Sequence, residues 1–202
     1  MKNAARGTAA LLLLLLAAGC AAPADERRPP APAAASRASG APTSAPPASG
    51  APADPTDAAW VQLMTPMNEQ AVALLSLAPA RSGDAGVRSW AAGLLASQNG
   101  ELARLRTLLA HMGLPDTNIH EGHDMPGMVT ADDLARARTV EGAAFDRFLV
   151  EQMKDHLTQS AQVSRSETGS GTRQDAKRLA AELVKARRTE LAALPALAAG
   201  SG

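Results

Sequence analysis

The chain is nearly devoid of cysteine: Cys20 is the only one in 202 residues. If it carries lipid, the folded part has no thiol. That excludes disulfides, thiolate metal sites and cysteine nucleophiles together, and leaves methionine and histidine as the soft ligands. Aromatic residues are scarce, with two Trp, two Phe and no Tyr. No segment alternates apolar and polar residues over a strand length, so a sheet is unsupported. Neither sign of charge is in excess. Twenty basic residues balance twenty acidic ones, and no basic block carries interleaved aromatics, which excludes a nucleic-acid binder. The apolar run from Ala9 to Ala18 is roughly ten residues, where a membrane-spanning helix needs about 20. Gly169-Ser170-Gly171 lacks the strand that precedes a nucleophile elbow and reads as a turn. The expectation is a protein without catalysis.

The first twenty residues place Lys2 and Arg6 before that apolar run and close on Gly19-Cys20, the order of an export signal. The segment Leu16-Ala17-Ala18-Gly19-Cys20 resembles a bacterial lipoprotein signal. That resemblance implies a lipid on Cys20 and an extracytoplasmic protein anchored to a bacterial membrane. An ordinary cleaved signal with an incidental cysteine is the other reading. Residues 21–55 hold nine of the fourteen prolines among Ala, Ser and Gly. Such a segment buries too little surface to offset its ordering entropy, so it reads as a disordered tether. Residues 56–196 then form one helical domain, and residues 197–202 a flexible tail.

From Asp57 to Leu105 the sequence returns 89 positions later without a gap. Asp57 matches Asp146, Val61 Val150, Met64 Met153, Gln70 Gln159, Leu94 Leu183, Glu101 Glu190, Leu102 Leu191 and Leu105 Leu194. Two copies of a helix-turn-helix unit, each too small to bury its own apolar stripe, make a pseudo-symmetric bundle. The expected fold is all-α: a four-helix bundle of two duplicated hairpins, with a long loop and a short helix between the halves. The first helix, from about Asp57 to before Pro79 with a kink at Pro66, lines one face with Trp60, Met64, Met67, Ala71 and Leu74. The second runs from about Asp84 to Gly113 with Val87, Ala91, Leu94, Gln98, Leu102 and Leu105 on its stripe. Thr130 and Asp133 cap a short helix to Val140. The third long helix carries Phe145, Leu149, Met153, His156 and Ser160 along one side. Behind a Thr172/Asp175 capping pair, the fourth places Leu179, Leu183, Arg187, Leu191 and Leu194 before Pro195.

Two constellations carry chemistry. Three of the four histidines and three of the seven methionines fall between His111 and Met128. Within that segment His120, His123, Met125 and Met128 offer imidazole and thioether donors suited to copper, with thioethers favouring Cu(I). A solvated loop with Met125 or Met128 tucked against the bundle explains the same residues. The second constellation follows from the repeat, which maps Met64 onto Met153 and Met67 onto His156. If the halves pack face to face, these four converge as a Cu(I) or Ag(I) site. Methionine is equally a flexible core filler, and a lone core histidine is often structural. Gln98, Glu101, Arg187 and Glu190 sit at equivalent positions of the second and fourth helices and read as a boundary layer of ion pairs and hydrogen bonds. A di-iron centre would need Glu-x-x-His pairs that this chain lacks.

With these motifs assembled, Asp57 to Leu194 resembles the ferritin-like family catalogued as domain of unknown function 305. Met64-Thr65-Pro66-Met67-Asn68 stands for that family's M-I-P-H-H pattern. Gln98 and Glu101 stand for its Gln-x-x-Glu pair, Met125-Pro126-Gly127-Met128 for its M-x-G-M loop, and Phe145-Asp146 with Met153-Lys154-Asp155-His156-Leu157 for its second histidine helix. The resemblance implies a ferritin-like scaffold and, as for some exported members, copper binding through paired histidines. Here Met67 and Asn68 replace the first pair, and only His156 remains of the second. The expected function is therefore a lipid-anchored bundle binding copper or a similar soft ion in homeostasis or resistance. The rival is a structural or interaction lipoprotein that docks an envelope protein and whose metal site has decayed.

Overall fold

The computed structural model describes residues 54–200, with side chains to Leu194. The signal, Cys20 and nearly all of the tether lie outside the described residues. Six helices and no strand make up the described chain: α1 Pro55–Leu75, α2 Ala78–Arg81, α3 Ala85–His111, α4 Ala131–Ala137, α5 Gly142–Ser170 and α6 Gln174–Gly200. The four long helices form an all-helical bundle in which α1 packs on α3 and α5, and α6 on α5 and α3. No described helix is long and apolar enough to cross a membrane.

Local chemistry explains most boundaries. Asp54 caps α1 by accepting from Thr56 N at 2.9 Å, with Pro55 in the first turn, where its missing N–H costs nothing. Asp84 caps α3 through Val87 N at 2.9 Å. Thr130 and Asp133 close a reciprocal capping box on α4, as the sequence predicts. At the far end of α3, Gly113 takes φ +66, the left-handed conformation that ends a helix. Three expectations shift. α1 ends at Leu75, and Pro79 falls inside the separate turn α2. The Thr172/Asp175 pair does not cap α6: Thr172 Oγ1 donates to Asp57 at 2.7 Å, and Asp175 is held by Arg173 at 2.7 Å. The backbone of α6 continues past Pro195 to Gly200.

The repeat appears in space as a pair of crossed caps. Asp57 on α1 accepts from Thr172 N and Arg173 N, at 3.0 and 3.1 Å, ahead of α6. Asp146 on α5 accepts from Gly83 N and Asp84 N, both at 3.1 Å, ahead of α3. The two aspartates are repeat equivalents, and so are the amides that donate to them. Each half therefore fixes the first turn of the other half's second helix.

The core has two apolar clusters. One gathers Leu74, Leu94, Phe145, Leu149, Met153 and Leu157; the other gathers Trp60, Met64, Met67, Leu105, Met128 and Leu183. Along every long helix a buried polar residue falls between them: Asn68 on α1, Gln98 and Glu101 on α3, Ser160 on α5 and Arg187 on α6. This layer divides the interior across its middle.

Candidate functional site

Arg187 is fully buried and anchors the polar layer. Its guanidinium grips Glu101 twice, at 3.1 and 2.6 Å, and reaches Glu190 at 2.8 Å and Ser160 Oγ at 2.8 Å. Glu101 also accepts from Asn68 Nδ2 at 3.2 Å, and Ser97 Oγ donates to Glu190 at 3.1 Å. With its amide oxygen turned to Arg187, Gln98 accepts at 3.1 and 3.2 Å. The expected layer of ion pairs and hydrogen bonds is present, but it reaches inside: Gln98, Glu101 and Arg187 are buried and Glu190 is half-buried, because the 98/187 positions sit on the core-facing stripes and the guanidinium finds a carboxylate on two helices.

One turn from Ser160, His156 is also fully buried. Burial, the charge of Arg187 and, working against both, the Gly127 carbonyl leave its imidazole neutral down to about pH 3. Its Nδ1 lies 3.3 Å from Gly127 O. A carbonyl can only accept, so Nδ1 carries the proton and the lone pair sits on Nε2. Nε2 has no partner among the described residues. Gly127 can approach this closely because it is glycine. Its φ is +75, and a Cβ there would stand 2.5 Å from Gln159 Cβ and 3.0 Å from Asp155 O, the residues flanking His156 on α5. The Met125-Pro126-Gly127-Met128 loop is thus laid directly over the imidazole.

The sulfur atoms are only partly brought together. Met64, Met67 and Met128 are buried in one cluster, with Met125 half-buried against it. Met64 Sδ is 4.0 Å from Ser164 Oγ, and Trp60 Nε1 lies 3.4 Å from the same hydroxyl. Trp60 and Met64 on α1 thus both face Ser164 on α5. Met153 belongs to the other cluster. Of the four residues expected to converge, Met64 and Met67 share one apolar cluster and Met153 lies in the other.

His123 is exposed and His120 half-buried. Asn118 Oδ1 receives His120 N at 3.0 Å, and His123 N donates to His120 O at 3.0 Å, so their backbone forms a turn. They line an open cavity of about 580 Å³ with Glu69, Glu121, Asp124 and Met128. Met128 is shared: it lines this cavity and belongs to the buried sulfur cluster. Among the described residues no three His, Cys, Asp or Glu converge closely enough to hold a metal, so any site rests on the thioethers.

A family model described as Domain of unknown function (DUF305) matches residues 57–198. The chain belongs to the DUF305 family. Two solved structures share its fold. A DUF305 protein of Streptomyces coelicolor, described as secreted, is 22% identical, with 70% of this chain and 91% of that one covered and a TM-score of 0.63. A DUF305 fragment from Deinococcus radiodurans is 23% identical, covers 73% of this chain and 97% of its own, and gives 0.64. No curated protein matches the chain significantly. Within this DUF305 domain, sequence reasoning missed Asn68, Ser164 and Glu167 as buried polar groups. The signal was present on α5, where His156, Ser160, Ser164 and Glu167 continue one stripe at spacings of three and four.

Proposed function

We propose that this DUF305 protein is exported, anchored to a bacterial membrane through a lipid on Cys20, and holds Cu(I) or a similar soft ion between the Met-rich loop and α5. Its role is copper homeostasis or resistance, without turnover. The observation that carries this reading is the buried imidazole of His156, neutral, fixed at Nδ1 by the Gly127 carbonyl and unpartnered at Nε2. Metal-binding histidines are held in this manner, with the far ring nitrogen donating to a carbonyl that orients the ring and raises the basicity of the ligating one. Met64, Met67 and Met128 share one apolar cluster with Met125 packed against it, and thioethers with an imidazole favour Cu(I) over harder ions. Arg187 adds a positive charge nearby, but Glu101 and Glu190 offset it, and a monovalent ion costs less to bury than a divalent one. His120 and His123 supply the outer wall of the cavity that Met128 also lines, a path from solvent to the sulfur cluster. The secreted description of the Streptomyces protein supports the export half. Docking of an envelope partner has less support: among the described residues Ile119 is the one large apolar side chain left exposed.

The test is a competition titration with a Cu(I) chelator of known affinity. Replacing Met64, Met67 and Met128 by leucine keeps the core apolar and should weaken Cu(I) binding at least about a hundredfold. Alanines at His120 and His123 should change it by only a few fold. Because His156 needs no deprotonation, affinity should stay flat from pH 5 to 8, whereas a site of ordinary surface imidazoles would weaken as the pH fell. Equal, weak binding by the native chain and the leucine variant would remove copper from this reading. Metabolic labelling with a radioactive fatty acid that leaves Cys20 unmarked would remove the anchor.

A further inference from the structure

At the end of the bundle where α1 begins, two carboxyl groups outside the metal site face one another. Asp57 is fully buried on α1, and Glu167, in the last turn of α5, is 1% exposed. Gly171 lets them meet: a Cβ there would stand 2.2 Å from Glu167 Oε1 and 2.7 Å from Asp57 Oδ1, so the two oxygens lie at most about 5 Å apart. Their surroundings differ. Asp57 accepts from the Thr172 hydroxyl at 2.7 Å and from the amides of Thr172 and Arg173. Neither oxygen of Glu167 receives an N–H or O–H from any described group, and the carboxyl beside it across Gly171, Asp57, is itself an acceptor. Two buried acceptors this close, one of them without any donor, are satisfied by a proton between them, and like charges so placed are costly to keep together. Since Asp57 is committed as acceptor to the α6 amides, the proton resides on Glu167, which donates it to Asp57.

Other charges face the pair from each packed element. Lys177 on α6 donates Nζ to Gly171 O at 3.0 Å, Asp54 precedes α1, and Arg173 beside Asp57 is occupied by Asp175 at 2.7 Å. Burial first, then the hydrogen bond to Asp57 and its charge, push Glu167 up to about 8, with Lys177 opposing and Asp54 adding to them. Burial likewise pushes Asp57 up, but its hydrogen bonds to Glu167, Thr172 and Arg173 outweigh it and hold the carboxyl below its ordinary range.

We propose that Asp57 and Glu167 form a proton-operated latch, in which one shared proton holds the start of α1 against the α5–α6 turn and its loss loosens this end of the bundle. The same aspartate caps α6, so releasing the pair also frees the first amides of that helix. The residues involved are separate from the thioether site, and the latch stands or falls independently of copper.

Amide hydrogen exchange at Thr172 and Arg173, the donors to Asp57, reads the latch directly in the full chain. After correction for intrinsic exchange, protection should fall about tenfold per pH unit from pH 5 to pH 8 and then level off. Glu167→Gln, whose amide can donate as the protonated carboxyl does, should keep the pH 5 protection at pH 8. A carboxyl carbon resonance of Glu167 titrating near pH 8 in the native chain gives the same answer without a variant. Protection that does not vary with pH, a slope surviving in Glu167→Gln, or a Glu167 resonance titrating below pH 6 would each overturn the latch.

Discussion

Arg187→Met should lower the unfolding free energy by about 3–5 kcal/mol, the loss associated with breaking a buried ion pair from one side. The size follows from what remains. Glu101 loses both of its close contacts and keeps Asn68 Nδ2; Glu190 keeps only Ser97 Oγ; Ser160 loses the guanidinium Nε. Methionine fills much of the stem's volume, so a cavity contributes little and the cost is that of stranded carboxylates. Two controls separate this from generic damage. A second change, Glu101→Gln, should recover part of the loss, because the remaining interior is then less charged. The deficit should also shrink at acid pH, where the stranded carboxylates can take up protons. Urea unfolding measures both. A loss below about 1 kcal/mol, or no recovery in the double variant, would mean that water reaches the layer and screens it.

What the sequence made legible was whatever depends on period and on repeat. The 89-residue shift predicted paired hairpins, and the crossed caps of Asp57 and Asp146 are that shift expressed as hydrogen bonds. Apolar stripes placed Trp60, Met64, Leu105, Leu149 and Leu183 correctly in the core. Less legible was whatever depends on the direction of the repeat axis. Met64 and Met153 are equivalent in sequence, yet they fall in opposite clusters. A stripe also cannot say whether a polar residue on it is partnered. Arg187 and Glu101 read as a boundary because buried charge is costly, and the structure offsets that cost with one another's charges and with Asn68, Gln98 and Ser160. Glu167 was missed for the same reason. Its partner lies more than a hundred residues away in α1, and only the closed bundle brings them together.

Two titrating groups with opposite displacements give this protein an unusual stability profile. His156 is neutral in the folded state down to about pH 3 but charges from its ordinary value of 6.5 when unfolded. The unfolded chain therefore binds the extra proton in that window, and stability falls as the pH drops from 6.5 toward 3. Glu167 acts in the other direction. It ionises at about 8 when folded and at its ordinary 4.5 when unfolded, so the folded chain binds the extra proton and stability falls as the pH rises from 4.5 to 8. Between 4.5 and 6.5 the two slopes cancel and a plateau is expected. Above 6.5 only Glu167 acts, and stability should drop about 1.4 kcal/mol per pH unit until it levels near 8. Below 4.5 His156 acts, joined at lower pH by Asp57, whose depressed carboxyl contributes stability present above 3.8 and lost as the pH falls through its folded value. Glu167→Gln isolates the terms. It should abolish the alkaline fall, leave the acid fall, and replace the plateau by a rise up to 6.5 set by His156 alone. At pH 8 it should be more stable than the native chain, whose latch is by then losing its proton. Urea midpoints from pH 4 to 9 decide the matter: a native chain as stable at pH 8 as at pH 6 would show that Glu167 ionises without cost, and that donors absent from its present surroundings reach it when the proton leaves.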